Sequence, residues 1–269
     1  MSGNDNTDAI RFEAVLEELR RLVNEFTRIG VEVVLVGGQA LAAEQRESGG
    51  SGVIMVRTET GLFIERGYSL EPDLLIDVSR AAQRVDAIGD VMRNCGFERI
   101  RTARWSKSAG TVVVDIFIPD DAEEWDDPGA TRLPKGAVAL LRPRLVQIRL
   151  EGGNLEILVP DPVGFLAMKL EAKQRLRPDM KKDSFDMYAY VSMKGIDTIA
   201  RAILADSHDG PALTGGLALL FRDEAAPGVR DVLAYADGYD SAEKALLARA
   251  VVDLFQQLAQ RLSGDRSRH

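Results

Sequence analysis

The sequence predicts a mixed α/β fold, an α/β half followed by a helical half, and three observations predict it. Short β-branched or apolar runs at 31–36, 72–78 and 111–118 alternate with helical stretches across the first 160 residues. From Asp161 onward the strand signals stop and helical segments follow one another. The 269 residues are 45% hydrophobic, enough for one large domain or two modest cores. The expected organisation is therefore an α/β unit over 1–160 and a helical unit over 161–269 that completes a cleft, with no low-complexity linker and no internal repeat.

Each element follows from local chemistry. Residues 8–29 carry Phe12, Val15, Leu16, Leu19, Leu22, Val23 and Phe26 on one helical stripe, and Gly30 is placed to end it. Val31 to Val36 reads as a strand closed by Gly37 and Gly38, and the "QALAAEQR" after them opens a second helix. Strand, glycine pair and helix is an order that suits phosphate, because glycine lets a ligand approach the backbone and a helix start offers unpaired N–H groups. The stretch 47–68 begins with "ESGGSG" and ends in "ERGY", which predicts a loop followed by a β-hairpin. A helix is expected at 80–95, stopped by Gly96, then a strand at 97–104 and an exposed acidic loop at 119–130. Runs at 145–150 and 155–159 flank "EGGN" and predict a hairpin. Asp161 suits an N-cap and Pro162 a first helical position, opening a helix through about Arg175. Further helices are expected at 183–193, 196–206, 211–222, 228–236 and 241–262.

Composition narrows the function classes. One cysteine, Cys95, excludes an intramolecular disulfide, and His208 and His269 alone give no zinc-ligand spacing. A reducing cytoplasm is the expected setting. No apolar stretch approaches the roughly 20 residues of a membrane-spanning helix, and the polar, acidic start is unlike a signal sequence, so a soluble protein is expected. A net charge of −8 argues against broad DNA or other nonspecific nucleic-acid binding. Two basic groups stand apart from that balance: Arg99, Arg101, Arg104 and Lys107, and then Lys169, Lys173, Arg175, Arg177, Lys181 and Lys182. Each either grips a triphosphate or a short RNA, or is a solvated face that offsets the acids.

The acids carry the sharper signal. With 69–77 as a strand, Glu71 and Asp73 stand two residues apart and project from the same face. Asp115, midway in the run 112–118, would add a third carboxylate from a neighbouring strand. Such carboxylates raise each other's pKa unless a cation lies between them, which points to a divalent metal. The plain alternative for Glu71 is an exposed residue at the start of a strand before Pro72. Asp73 before "LLI" and Asp115 between Val114 and Ile116 need a partner or a metal, because a charge in an apolar run is costly. Asp77 lies roughly 13 Å along an extended strand from Asp73, too far to share an ion, and is expected to cap the next helix. Lys169 and Lys173 share a helical face beside Leu166 and Leu170, with Lys169 either directed at a phosphate or solvated. Asp183 would cap a helix starting near Ser184, or position Lys169 or an acceptor. His208 reads as loop, and no serine motif supports a hydrolase triad.

Taken together, a strand, Gly37-Gly38, a helix, the pair Glu71 and Asp73, and then Asp115 in a later strand resemble the nucleotidyltransferase superfamily of the polymerase-β-like fold. Ser69 sits where such sequences often carry a threonine. The segment 161–188 looks like the helical follow-on of abortive-infection type nucleotidyltransferase toxins, with Lys169, Arg175, Lys182, Asp183 and Asp186 at the corresponding positions. The resemblance covers about residues 31–190 and departs from the family in two places. The first acid is Glu71 rather than aspartate, and the interval from Gly38 to Glu71 is long, which places an insertion at 44–68. It implies a nucleotidyltransferase-like mixed sheet with flanking helices and transfer of an NMP from an NTP, ATP among them, to a hydroxyl of RNA, protein or a small molecule. It also implies two Mg²⁺ ions held by Glu71, Asp73 and Asp115, with Gly37, Gly38, Ser69, Lys169 and Asp183 toward the nucleotide. A toxin of this type would modify tRNA or a protein and would meet an antitoxin. The other expectation is a catalytically silent member of the fold that binds a nucleotide or a protein.

Overall fold

The apolar stripe of the first segment does what its spacing predicts: in α1 (Gly3–Arg28) Phe12, Leu16, Leu22 and Phe26 are fully buried. Gly30 ends it in the left-handed region at φ 73°, where its N–H bonds Thr27 O and the Val31 N–H bonds Phe26 O. This computed structural model describes residues 3–78, 85–107, 110–122 and 130–264. The chain is mixed α/β, with a mixed sheet, flanking helices and helices toward the C-terminus.

After α1 come β1 (Val33–Val36) and α2 (Gly37–Glu47), then β2 (Ile54–Arg57) and β3 (Phe63–Gly67) as a hairpin. The chain continues with β4 (Asp73–Ile76), α3 (Val85–Asn94), β5 (Glu98–Arg101), β6 (Arg104–Lys107), β7 (Val112–Pro119), β8 (Thr131–Leu133) and α4 (Gly136–Leu141). A second hairpin, β9 (Arg144–Leu150) and β10 (Gly153–Val159), completes the strands. Eight strands form one sheet in the order β5-β6-β7-β4-β1-β10-β9, with β8 added beside β7. The pairs β1/β10, β4/β7 and β7/β8 are parallel and the others antiparallel.

Alternation on β7 sets the faces. Val112, Val114, Ile116 and Ile118 are buried, whereas Val113, Asp115 and Phe117 are only half-buried on the other side. Each of those buried side chains stabilises by about 1.5–3 kcal/mol, which anchors the strand and leaves Asp115 on the more open face.

Three expectations change here. The strand expected at 72–78 spans only Asp73–Ile76, and Glu71 lies in a bend before the buried Pro72, whose carbonyl accepts from the Asp115 N–H. The single strand expected at 97–104 is two strands, β5 and β6, folded at Thr102 and at Ala103, which takes φ 64°. The short β8 and α4 were not anticipated, and the part of the acidic loop at 123–129 lies outside the described residues. So do 79–84, where Asp77 was expected to cap a helix and where the helix expected at 80–95 would begin.

The helical part contains α5 (Pro162–Glu171), a five-residue π-helical segment Ala172–Leu176, α6 (Lys181–Lys194), α7 (Ile196–Ala205), α8 (Gly210–Leu220), α9 (Pro227–Leu233) and α10 (Ser241–Gly264). Asp161 caps α5 as its position predicts, with Oδ1 accepting from the Gly164 N–H at 2.8 Å. The chain divides into two compact units, one holding the residues through Val53 with Tyr68–Gly164, the other Ile54–Gly67 with Phe165 onward. The β2–β3 hairpin therefore belongs with the helices rather than with the first 160 residues. Within that unit the Phe63 N–H donates to the Tyr239 hydroxyl at 2.7 Å, and this hydroxyl donates to Phe63 O at 2.5 Å. Stacked rings at Phe221/Phe255, 3.8 Å between centroids, and Phe165/Tyr190, 4.1 Å, lie in its core. Among the described residues no helix is long and apolar enough to cross a membrane.

Candidate functional site

One row of residues crosses four strands of the sheet. Arg104 on β6 is opposite Asp115 on β7, Asp115 is in register with Asp73 on β4, and Asp73 with Val36 at the end of β1. Directly opposed residues of neighbouring strands share a face, so the two aspartates and the arginine stand side by side. The sequence therefore placed Asp73 and Asp115 correctly on adjacent strands.

Glycine at the next position is a geometric requirement. Gly37, the first residue of α2, takes φ 69°, and a Cβ there would collide with the Asp73 carboxylate. A carboxylate this close to a helix start gains from the positive end of the helix dipole. Gly38 follows in the same first turn and is half-buried.

Glu71 joins the row through Arg104. Arg104 Nη2 lies 2.6 Å from Glu71 Oε1, and Nη1 lies 3.4 Å from Asp115 Oδ2. The Glu71 side chain is 55% exposed, those of Arg104 and Asp115 19% each, so this pairing sits at the margin of solvent. Burial pushes the Asp115 carboxyl up, Arg104 pulls it down and Glu71 pushes it up again, and the balance leaves it above the ordinary carboxylate range. Burial opposes the charge on Arg104, but the Glu71 hydrogen bond and the nearby Asp115 and Asp73 raise its pKa and keep it protonated. Among the described residues no three His, Cys, Asp or Glu side chains form a ready metal cage.

Arg104 is the residue the sequence reading misjudged, having grouped it with Arg99, Arg101 and Lys107 as a basic run. Its pairing with Asp115 depends on the turn at Thr102 and Ala103, and nothing in the residue types announces that turn. Gln39 was missed as well. It is fully buried in α2, its Nε2 donates to the Ser69 carbonyl, and its Oε1 has no hydrogen-bond partner among the described residues. Ser69 thus enters the neighbourhood of the acids through its backbone.

Lys169 and Asp183 belong to the helical unit and form a different kind of group. Lys169 Nζ donates to Asp183 Oδ1 at 3.1 Å and to Asp186 Oδ2 at 2.5 Å, while Arg177 makes two bonds to Asp183 at 2.8 and 3.0 Å. Arg66 of β3 lies 2.7 Å from Asp186 Oδ1. Both aspartates are fully buried and Lys169 is 4% exposed. Burial alone would push the Asp183 carboxyl up, but Lys169 and Arg177 outweigh it and hold the group below its ordinary range. Lys173, one turn on, is also buried, donating to the Pro178 carbonyl and lying 2.6 Å from Asp231, which accepts from Ser184 Oγ at 2.6 Å.

Two expectations are corrected by this network. Asp183 is not the cap of α6, which starts two residues earlier at Lys181; its carboxylate takes the other expected role of holding Lys169, and holds Arg177 as well. Lys169 is not solvated, because it is buried and its ammonium is taken up by two buried carboxylates. Arg175, by contrast, is exposed and pairs with Glu171 at 3.3 Å. Comparison with protein-family models, with curated proteins and with solved structures finds no match to this chain.

Proposed function

We propose that the chain is a metal-dependent nucleotidyltransferase that moves an NMP from an NTP to a hydroxyl of RNA, protein or a small molecule, as a toxin held in check by an antitoxin. The observation that carries the reading is the register of Asp73 with Asp115 on parallel strands, with the Asp73 carboxylate against Gly37 at the start of α2. The donor chemistry fits a divalent ion, because hard carboxylate oxygens suit Mg²⁺ and Asp73 and Asp115 bring two of them side by side. Asp73 and Asp115 would hold the metal, with Glu71 joining them. A bound Mg²⁺ would screen the triphosphate and polarise a phosphoryl oxygen.

The chain's own groups divide the remaining work. Gly37 and Gly38 lie in the first turn of α2, where backbone N–H groups lack an intrahelical acceptor, and would bind phosphate oxygens. Asp115, its affinity for a proton raised by burial, would take the proton of the attacking hydroxyl. Lys169 and Asp183 would act within their own unit, fixing α5 against α6. The single free thiol, Cys95, suits a reducing cytoplasm.

Incubation with labelled NTPs, Mg²⁺ and in turn tRNA, total RNA and lysate protein tests the proposal. Label should enter one acceptor class, and Asp73→Asn should lower the rate by about 10²–10³ or more without unfolding the chain. Unchanged turnover in a folded Asp73→Asn protein would refute the assignment. A second reading, a silent nucleotide- or protein-binding member, has its own support: Arg104 already neutralises part of the acid cluster. Melting scans with Mg²⁺ and each NTP separate the two, since only a ligand bound to the folded form raises the midpoint. A rise that needs metal and nucleotide together favours the enzyme.

A further inference from the structure

We infer that Arg104 is a resident counter-ion that a divalent metal must displace, so that the acidic site is latent until the ion concentration overcomes this ion pair. The inference rests on the metal reading above and concerns a residue for which that reading gives no task. Three features of the geometry carry it. The Arg104 guanidinium touches two of the three acids at once, at 2.6 Å to Glu71 and 3.4 Å to Asp115. It stands in the same cross-strand row as Asp115 and Asp73, so its position is set by the register of β6 on β7. The Arg104 and Asp115 side chains are each only 19% exposed, so their contact is largely sheltered from bulk water.

A metal that uses Glu71 or Asp115 therefore meets oxygens already engaged. One guanidinium and one divalent ion cannot take the same lone pairs, and like charges a few ångströms apart repel. The way out exists, because Glu71 is more than half exposed and an arginine on a flexible stem can turn its head to water. Glu71 holds Arg104 from a bend outside the strand. The engaged form is the one that cannot bind metal, so the apparent dissociation constant is raised by the inverse of the fraction in which Arg104 has let go.

Calorimetric titration with Mn²⁺ of the full chain, of Arg104→Met and of Arg104→Lys tests this. Arg104→Met should bind Mn²⁺ about tenfold more tightly than the unaltered chain, and Arg104→Lys, which keeps the charge but not the fork, should fall between them. In the unaltered chain, titration with Mg²⁺ should move the side-chain Nε–H resonance of Arg104 as its carboxylate partners are lost. Equal or weaker binding by Arg104→Met overturns the inference, as does absence of binding by every form. Should Arg104→Met fail to fold, the resonance decides alone: saturation by Mg²⁺ with the Arg104 signal unmoved overturns it. Tighter metal binding by Arg104→Met with no nucleotide transfer from any form would keep the inference and remove the enzymatic reading.

Discussion

The chain contains two clusters of acids and bases, and they differ in how deeply they are buried. In the helical unit, Asp183 and Asp186 are fully buried and ion-paired, Asp183 with Lys169 and Arg177 and Asp186 with Lys169 and Arg66. On the sheet, Glu71, Asp73 and Asp115 are partly open, and Arg104 pairs with Glu71 and Asp115 at the margin of solvent. The carboxyls themselves differ: at Asp183 burial is outweighed by Lys169 and Arg177, which hold it below its ordinary range, whereas at Asp115 burial outweighs Arg104 and leaves it above. Compensation marks the first cluster as structural. The second is open to solvent, which is what the proposed site requires.

That contrast can be broken by substitution, with the largest effect expected in the buried cluster. Asp183→Asn leaves Lys169 and Arg177 short of a buried partner and should destabilise the chain by about 3–5 kcal/mol in urea titrations. The pH dependence has a definite sign. Because the folded-state pKa of Asp183 is depressed, its stabilising contribution is complete above the unfolded value, about 3.9, and is lost as pH falls through the folded one. The urea midpoint of the parent should therefore fall in acid more steeply than that of Asp183→Asn.

Arg66→Met should cost about 1–3 kcal/mol, the loss of the ion pair it makes with a buried carboxylate. Parity with the parent in the same titration would show that the hairpin contributes nothing to the network. Gly37→Ala should cost about 1–2 kcal/mol from its left-handed backbone, with more added if Asp73 cannot move from the new methyl group. Least of all, Asp73→Asn should stay within about 0.5 kcal/mol of the parent in stability while abolishing transfer, the reverse of the pattern at Asp183. Comparable destabilisation by Asp73→Asn and Asp183→Asn would erase the distinction between the two clusters.

Much of the fold was legible from periodicity. The stripe of α1, the cap at Asp161, the hairpin around "EGGN" and the helices after 180 follow from patterns a few residues long. The two features read least well were the turn inside 97–107 and the allegiance of 54–67, the hairpin that belongs with the helices. Ala103 gives no turn signal of its own, and its left-handed backbone is imposed by the pairing of β6 with β7. Residues 54–67 carry a good local hairpin pattern but no local trace of their partners, since Arg66 meets Asp186 and Phe63 meets Tyr239 far along the chain.

By itself the sequence determined which side chains had to find partners. An aspartate within "VVVDIFI" and another before "LLI" cannot sit unpaired inside a protein, and short-range pattern suffices to say so. Which partner each one found was decided only by tertiary structure. Strand register brought Arg104 to Asp115 and Glu71, and helix packing brought Lys169 to Asp183 and Asp186. The physical reason is that a charge's need is local, fixed by its own neighbours in the chain, whereas its satisfaction depends on distances that exist only after strands and helices have met.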